Sequence, residues 1–266
     1  LLIFLAAYLR SDLARFFIFH TSSNWGVSRA EVHVEELLRL PFPLPEDTHD
    51  PKRSQSIVHE VAAAVMKAVE EASSVFADRE EIVCRTQESV GKLIDEYFDI
   101  DEIERMLITD TSKIIIPSIR PSRGKTDVPT IKQSSTDLRA AYTSLLCERL
   151  NGWATQEYRV HGMTVADSAI GIGMVVLEKI RRGDRPTQLF STDGAMLKAI
   201  DNLQQTAAKG HGSFEIVRGL KVFHKNFLYI TKPLGQRFWT KTAALNDADE
   251  IAATILTRSV KEGEGA

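Results

Sequence analysis

The sequence predicts an α+β protein: an N-terminal helical region with long spacer helices, then a C-terminal α+β domain of short antiparallel strands and helices. Three observations carry this. Apolar residues recur at three- and four-residue spacing from the start of the chain to Lys113. In Tyr158–Val165 and Ile170–Lys179 they alternate at period two. A polar stretch, Pro117-Ser118-Ile119-Arg120-Pro121-Ser122-Arg123-Gly124-Lys125 and on to Ser135, separates the two textures. Hydrophobic content of 43% beside 26% charge excludes a disordered chain, and 266 residues suffice for one large core or two modest ones.

Leu2, Leu5, Leu9, Leu13, Phe16 and Phe17 form one apolar stripe, which predicts a single helix over residues 1–20, stopped by the turn residues Ser22, Ser23, Asn24 and Gly26. Val32-His33-Val34 suits a short strand and Glu35-Glu36-Leu37-Leu38 a helix; both readings stay open. Pro41, Pro43 and Pro45 impose an extended exit. Ser54 or Ser56 can cap a helix over about 55–77, a second helix covers about 79–97, and a third covers about 100–113 with Asp99 as N-cap and Glu102 at the capping-box position. Past the polar stretch, Thr136 or Asp137 caps a helix to Gly152. Tyr158–Val165 and Ile170–Lys179 read as a hairpin joined near Ala166-Asp167-Ser168. Asp193–Ala208 reads as helix, and Phe214–Val217, Leu220–Phe223 and Phe227–Thr231 as strands. The last helix runs from Thr242 to Ser259, capped near Asn246-Asp247. The expected partition is therefore 1–45, a helical spacer 46–116, a linker 117–135 and a C-terminal domain 136–260.

Charge is unevenly placed. Residues 46–113 carry 8 Lys and Arg against 17 Asp and Glu, whereas residues 114–266 carry 21 against 15. Phosphate repels the acidic middle, so a nucleic-acid role falls to the N-terminal turn or the C-terminal part. Leu1–Leu9 is too short an apolar run for a membrane span, because Arg10, Asp12 and Arg15 interrupt it, and it lacks the flanks of a signal peptide. No membrane association and a cytoplasmic location are expected. The isolated Cys84 and Cys147 are expected to be buried structural thiols in a reducing compartment. The chain opens Leu1-Leu2-Ile3 and its first methionine is Met66, so we expect the C-terminal portion of a longer protein.

Three segments then stand out. Leu5-Ala6-Ala7-Tyr8-Leu9-Arg10-Ser11 leads through Phe16-Phe17-Ile18-Phe19-His20 into the turn Thr21-Ser22-Ser23-Asn24-Trp25-Gly26. Leu38-Arg39-Leu40-Pro41-Phe42-Pro43-Leu44-Pro45 closes that region. Tyr97-Phe98-Asp99-Ile100-Asp101-Glu102-Ile103-Glu104 follows downstream. The first two, in this order, resemble the end of the target-recognition region in adenine-N6 DNA methyltransferases of restriction-modification systems and in type I restriction specificity subunits, and the third resembles a segment that ends many single-chain restriction-modification proteins. The resemblance covers residues 1–45 best. It implies double-stranded DNA as ligand, protein subunits of a restriction or phage-defence system as partners, and S-adenosylmethionine as cofactor of the parent enzyme.

The residues themselves offer no methyl-transfer chemistry. The chain has no Asn/Asp-Pro-Pro-Tyr/Phe tetrapeptide, with which such enzymes hold a flipped adenine. Ile170-Gly171-Ile172-Gly173-Met174 is the one Gly-rich candidate for a cofactor loop, but its apolar alternation favours close packing in a strand. We therefore expect no catalytic residue, no metal site and no cofactor site within these residues. The DNA-contact candidates are Ser22, Ser23, Asn24 and Trp25, whose hydroxyls, amide and ring suit phosphate and base edges, and the cations Arg120, Arg123 and Lys125. Each has a structural alternative: the turn as a helix stop with Trp25 filling a core, the cations as a solvated linker. Lys221, Lys225, Lys232, Arg237 and Lys241 interleave with aromatics, which predicts rings inward and cations outward. Two further functions stay open: a protein-interaction or sensor module over residues 136–259, and half of a type I specificity subunit.

Overall fold

A computed structural model describes residues 1–23, 32–121, 128–187 and 220–263, with side chains as far as Thr257. The chain divides into two compact units, Leu1–Ser122 and Arg123–Ala266. The first is helical and the second builds an antiparallel sheet under two helices, so the α+β class holds.

In the first unit the expected N-terminal helix is two helices, α1 (Leu2–Leu9) and α2 (Asp12–Thr21). The break is Ser11, whose hydroxyl accepts from the Ala14 amide at 3.1 Å and so starts a new helix with an N-cap. Helix α3 (Val34–Leu37) settles the strand-or-helix choice. Helix α4 (Pro51–Ala72) begins earlier than the serine caps predicted. Asp50 caps it at the Arg53 amide and Pro51 occupies its first position, while Ser54 is buried one turn inside. Helix α5 (Arg79–Tyr97) ends where predicted.

Asp99 is not the cap of the next helix. It takes the left-handed conformation (φ 52°) at the end of α5, where the Ile100 amide reaches back to the Asp95 carbonyl at 2.9 Å. Asp101 caps α6 (Glu102–Asp110), and Glu104 completes the capping box. A π-turn (Thr111–Ile115) and α7 (Ile116–Ile119) follow, so the expected linker starts inside a helix.

The three segments that carry the family resemblance meet in one core. Phe4 and Tyr97 lie 4.6 Å apart between ring centroids, Tyr8 and Phe98 4.7 Å, and Tyr8 and Phe42 5.9 Å. The Tyr97 hydroxyl donates to the Pro43 carbonyl at 2.7 Å. Ile57, Val58, Val61, Val90 and Ile94 of α4 and α5 close this core. Beyond Val61 and Val90 the α4–α5 hairpin has no buried residue, and Val75 and Phe76 at its tip are 91% and 96% exposed. Cys84 sits on this arm and is exposed, contrary to expectation, because none of the described residues packs there to bury it.

In the second unit α8 (Thr136–Trp153) precedes β1 (Tyr158–Asp167) and β2 (Ile172–Arg181), then come β3 (Lys221–His224), β4 (Phe227–Pro233) and α9 (Lys241–Gly263). The strand order is β1-β2-β4-β3, all antiparallel. Tyr142, Leu146 and Leu150 of α8 and Ala244, Ala248 and Ile251 of α9 cover Val175, Leu177, Leu228 and Ile230 on one sheet face. Met174, Val176 and Tyr229 are buried on the other. Strand β2 is thus buried on both faces, which explains its unbroken apolar run. Gly173 is a packing glycine: a β-carbon there would lie 2.5 Å from the Trp239 ring. Gly171 turns the chain with φ +69°, after Asp167 accepts from the Ala169 amide at 2.8 Å. The expected helix 193–208 and strand 214–217 lie outside the described residues.

Candidate functional site

Of the cations expected to face outward on the last strands, Lys225 and Lys241 do, whereas Lys232 and Lys221 go inward. Lys232 is buried, bonded to Asp247 at 2.5 Å and to the Phe238 carbonyl at 3.0 Å, with the Tyr142 ring 4.4 Å away. Lys221 joins Asp247 at 3.0 Å and Glu250 at 2.5 Å, and the Tyr142 hydroxyl donates to Asp247. Burial opposes the Asp247 charge, but Lys232 beside it and three hydrogen bonds hold its carboxyl below the ordinary 3.8. Burial draws Lys232 below its usual range, and Asp247 limits that shift. Burial, and then the Asp247 charge, push the Tyr142 hydroxyl upward. Asp247 is therefore a core hub rather than a helix cap. That task falls to Thr240, whose hydroxyl accepts from the Ala243 amide at 3.0 Å.

The sequence candidates sit as follows. Ser22 and Ser23 hold Glu36. The Ser22 hydroxyl donates at 2.8 Å, and the Ser23 amide and hydroxyl donate at 3.0 and 3.2 Å. The His33 amide adds a fourth bond at 3.0 Å. These bonds, that from His33 first, lower the Glu36 carboxyl to about 2. The turn already binds an anion of its own, so phosphate here would compete with a fixed carboxylate. Arg120 is exposed at the end of α7. Asn24, Trp25, Arg123 and Lys125 lie outside the described residues.

A larger positive cluster gathers at one end of the sheet. Tyr158 pairs with Arg181, Arg159 with Ile180 and Val160 with Lys179, so the start of β1 and the end of β2 share that end. Gly183, at φ +102°, turns the chain just after, and Arg159 donates to the Asp184 carbonyl at 2.9 Å. The β3–β4 turn arrives beside it, because the Lys179 amide donates to the Asn226 carbonyl at 2.8 Å. Arg159, Lys179, Arg181, Arg182, Arg185 and Lys225 are all exposed here, against the exposed acids Glu157 and Asp184. Glu178 faces away from solvent, buried and bonded to the Thr187 amide at 2.9 Å and to its hydroxyl. None of the six cations forms an ion pair among the described residues. Lys179 lies over the Tyr158 ring at 4.3 Å, which leaves an aromatic edge among the charges.

Sequence reasoning passed over this cluster. Its signal was the run Arg181-Arg182-Gly183-Asp184-Arg185, together with the hairpin that returns residue 181 to residue 158. Among the described residues no group of three or more His, Cys, Asp or Glu is placed to hold a metal, and no helix is long and apolar enough to cross a membrane. No family model, curated protein or solved structure matches the chain.

Proposed function

We propose that this chain is a DNA-positioning, accessory part of an adenine-N6 DNA methyltransferase of a restriction-modification or phage-defence system. A catalytic domain elsewhere would hold S-adenosylmethionine and transfer the methyl group. The single observation that supports DNA contact is the set of six exposed cations, without an ion pair among the described residues, at the Tyr158–Arg181 end of the sheet. Clustered guanidinium and ammonium groups bind phosphate by releasing its counterions, without reading sequence. The methyltransferase context rests on the resemblance of residues 1–45, whose motif residues share one aromatic core with Tyr97.

Replacing Arg181, Arg182 and Arg185 together by Ala should weaken binding to duplexes of unrelated sequence equally. The dependence of log affinity on log salt should flatten by about 3. The same triple change at Arg120, Arg123 and Lys125 separates the polar stretch from the sheet end. If neither triple alters affinity or salt slope, DNA positioning is wrong. The reading then favoured is partner docking through the apolar tip of the α4–α5 arm, where Val75 and Phe76 stand in solvent.

A further inference from the structure

We propose that the outer edge of β1 is a self-association surface, on which two copies of the chain pair antiparallel about Thr164 and join two four-stranded sheets into one. Strand β1 ends the sheet, with β2 on one side and no strand on the other among the described residues. Its backbone alternates. The Arg182 amide bonds to the Glu157 carbonyl at 2.8 Å, and the Lys179 amide points away to Asn226. Odd-numbered residues of β1 therefore face β2, and even-numbered ones face outward. Asn151 occupies the outward groups of Val160: the Val160 amide donates to its side-chain oxygen at 2.7 Å, and its amide nitrogen donates to the Val160 carbonyl at 3.0 Å. The outward N–H and C=O groups of Gly162, Thr164 and Ala166 have no partner among the described residues. Such a row is a template for another strand.

Three features select a second copy as the occupant. A two-fold axis at Thr164 sets Gly162 opposite the partner's Ala166, Thr164 opposite the partner's Thr164 and Ala166 opposite the partner's Gly162, so every free group is used. The same register places His161 opposite the partner's Asp167 and Met163 opposite the partner's Val165, which matches polar with polar and apolar with apolar.

Helix α8 repeats the symmetry. It lines an open groove of about 800 Å³ along β1, and its Thr143 hydroxyl meets that of Thr164 at 2.6 Å, so the axis passes α8 at Thr143 and Ser144. Arg139 and Glu148 stand at near-equal separations on either side of that point. Glu148 is exposed, whereas the Arg139 guanidinium is held within its own chain by the Ser134 carbonyl and hydroxyl and the Thr136 hydroxyl. The small Ala140, Ser144 and Cys147 between Arg139 and Glu148 leave room for a second helix.

Pairing in this register would also set the two Arg159 side chains ten residues apart, about 33 Å along the strands, close to one turn of duplex DNA. That consequence rests on the DNA reading; the pairing does not.

The test uses the whole chain without DNA. Sedimentation equilibrium across the micromolar range should show a dimer, and Ala166→Lys, at an exposed edge position, should raise its dissociation constant at least about tenfold. In a Cys84→Ser background treated with oxidised glutathione, Thr164→Cys should crosslink two chains. Opposed residues of a hydrogen-bonded pair have Cα atoms about 5.5 Å apart, within disulfide reach. Ala166→Cys should not crosslink, since its two copies would lie four residues apart, about 13 Å. A chain that stays monomeric and gives no Thr164 crosslink overturns the proposal and leaves the edge to a strand of another protein. A dimer indifferent to Ala166→Lys overturns it as well. Loss of DNA binding with the dimer intact would count against the proposed function alone.

Discussion

At the scale of single residues, Asp247 shows how a buried charge acquires its role from its neighbours. It bonds Lys232, Lys221 and the Tyr142 hydroxyl at once. Removing its charge strands Lys232 in the core. Asp247→Asn should therefore destabilise the chain by about 3 kcal/mol, read from urea unfolding. The folded carboxyl lies below its ordinary 3.8, so the unfolded chain takes up this proton first as pH falls. The contribution is complete above about pH 4 and is lost as pH drops through the folded value. The Asn variant should lose part of that acid-side slope. A variant as stable as the parent would show that Lys232 is neutral in the core and the ion pair carries nothing. Glu36 follows the same sign, since its four bonds keep it ionised down to about 2.

At the scale of elements, local chemistry decides where helices start and tertiary packing decides what strands tolerate. Ser11, Asp50, Asp101 and Ser135 each cap a helix with a side-chain oxygen. Sequence reasoning found the helices but misplaced caps, because several Ser and Asp residues compete at each start. The glycine pair in β2 was legible as a packing feature from its apolar surroundings, yet its partner was not. Trp239 lies 66 positions away and reaches Gly173 only through the β2–β4 pairing. Its indole N–H donates to the Pro233 carbonyl at 2.8 Å, which fixes the ring against that glycine. Gly173→Ala should cost about 1–3 kcal/mol in thermal or urea unfolding, through overpacking of a fully buried ring. A double cycle with Trp239→Phe should show coupling between the two positions. Strictly additive effects would place the cost in the strand backbone rather than at the ring.

At the scale of the molecule, the two units differ in charge as well as architecture. Leu1–Ser122 carries 13 Lys and Arg against 21 Asp and Glu, and Arg123–Ala266 carries 20 against 15. Each has its own aromatic and aliphatic core. Limited proteolysis should therefore cut between Arg120 and Lys132 and release a C-terminal piece that melts cooperatively by circular dichroism. An unfolded product would mean that the C-terminal core does not stand alone.

The α+β class, the helix periodicities, the β1–β2 hairpin and the charge asymmetry are legible in the chain, because they depend on residues close together in it. The sequence also placed Tyr8, Phe42 and Phe98 in separate segments without showing that both phenylalanines stack on the tyrosine. Only the tertiary structure decided that Lys221 and Lys232 turn inward, since a side chain's direction depends on which helix lies over its strand. Only it separated the exposed cations at the Tyr158–Arg181 end from those held in ion pairs. That β1 ends the sheet among the described residues was likewise invisible in the sequence, because strand order is a long-range property. Period-two alternation marks which face a residue occupies, and it carries no information on whether a neighbour lies beside it.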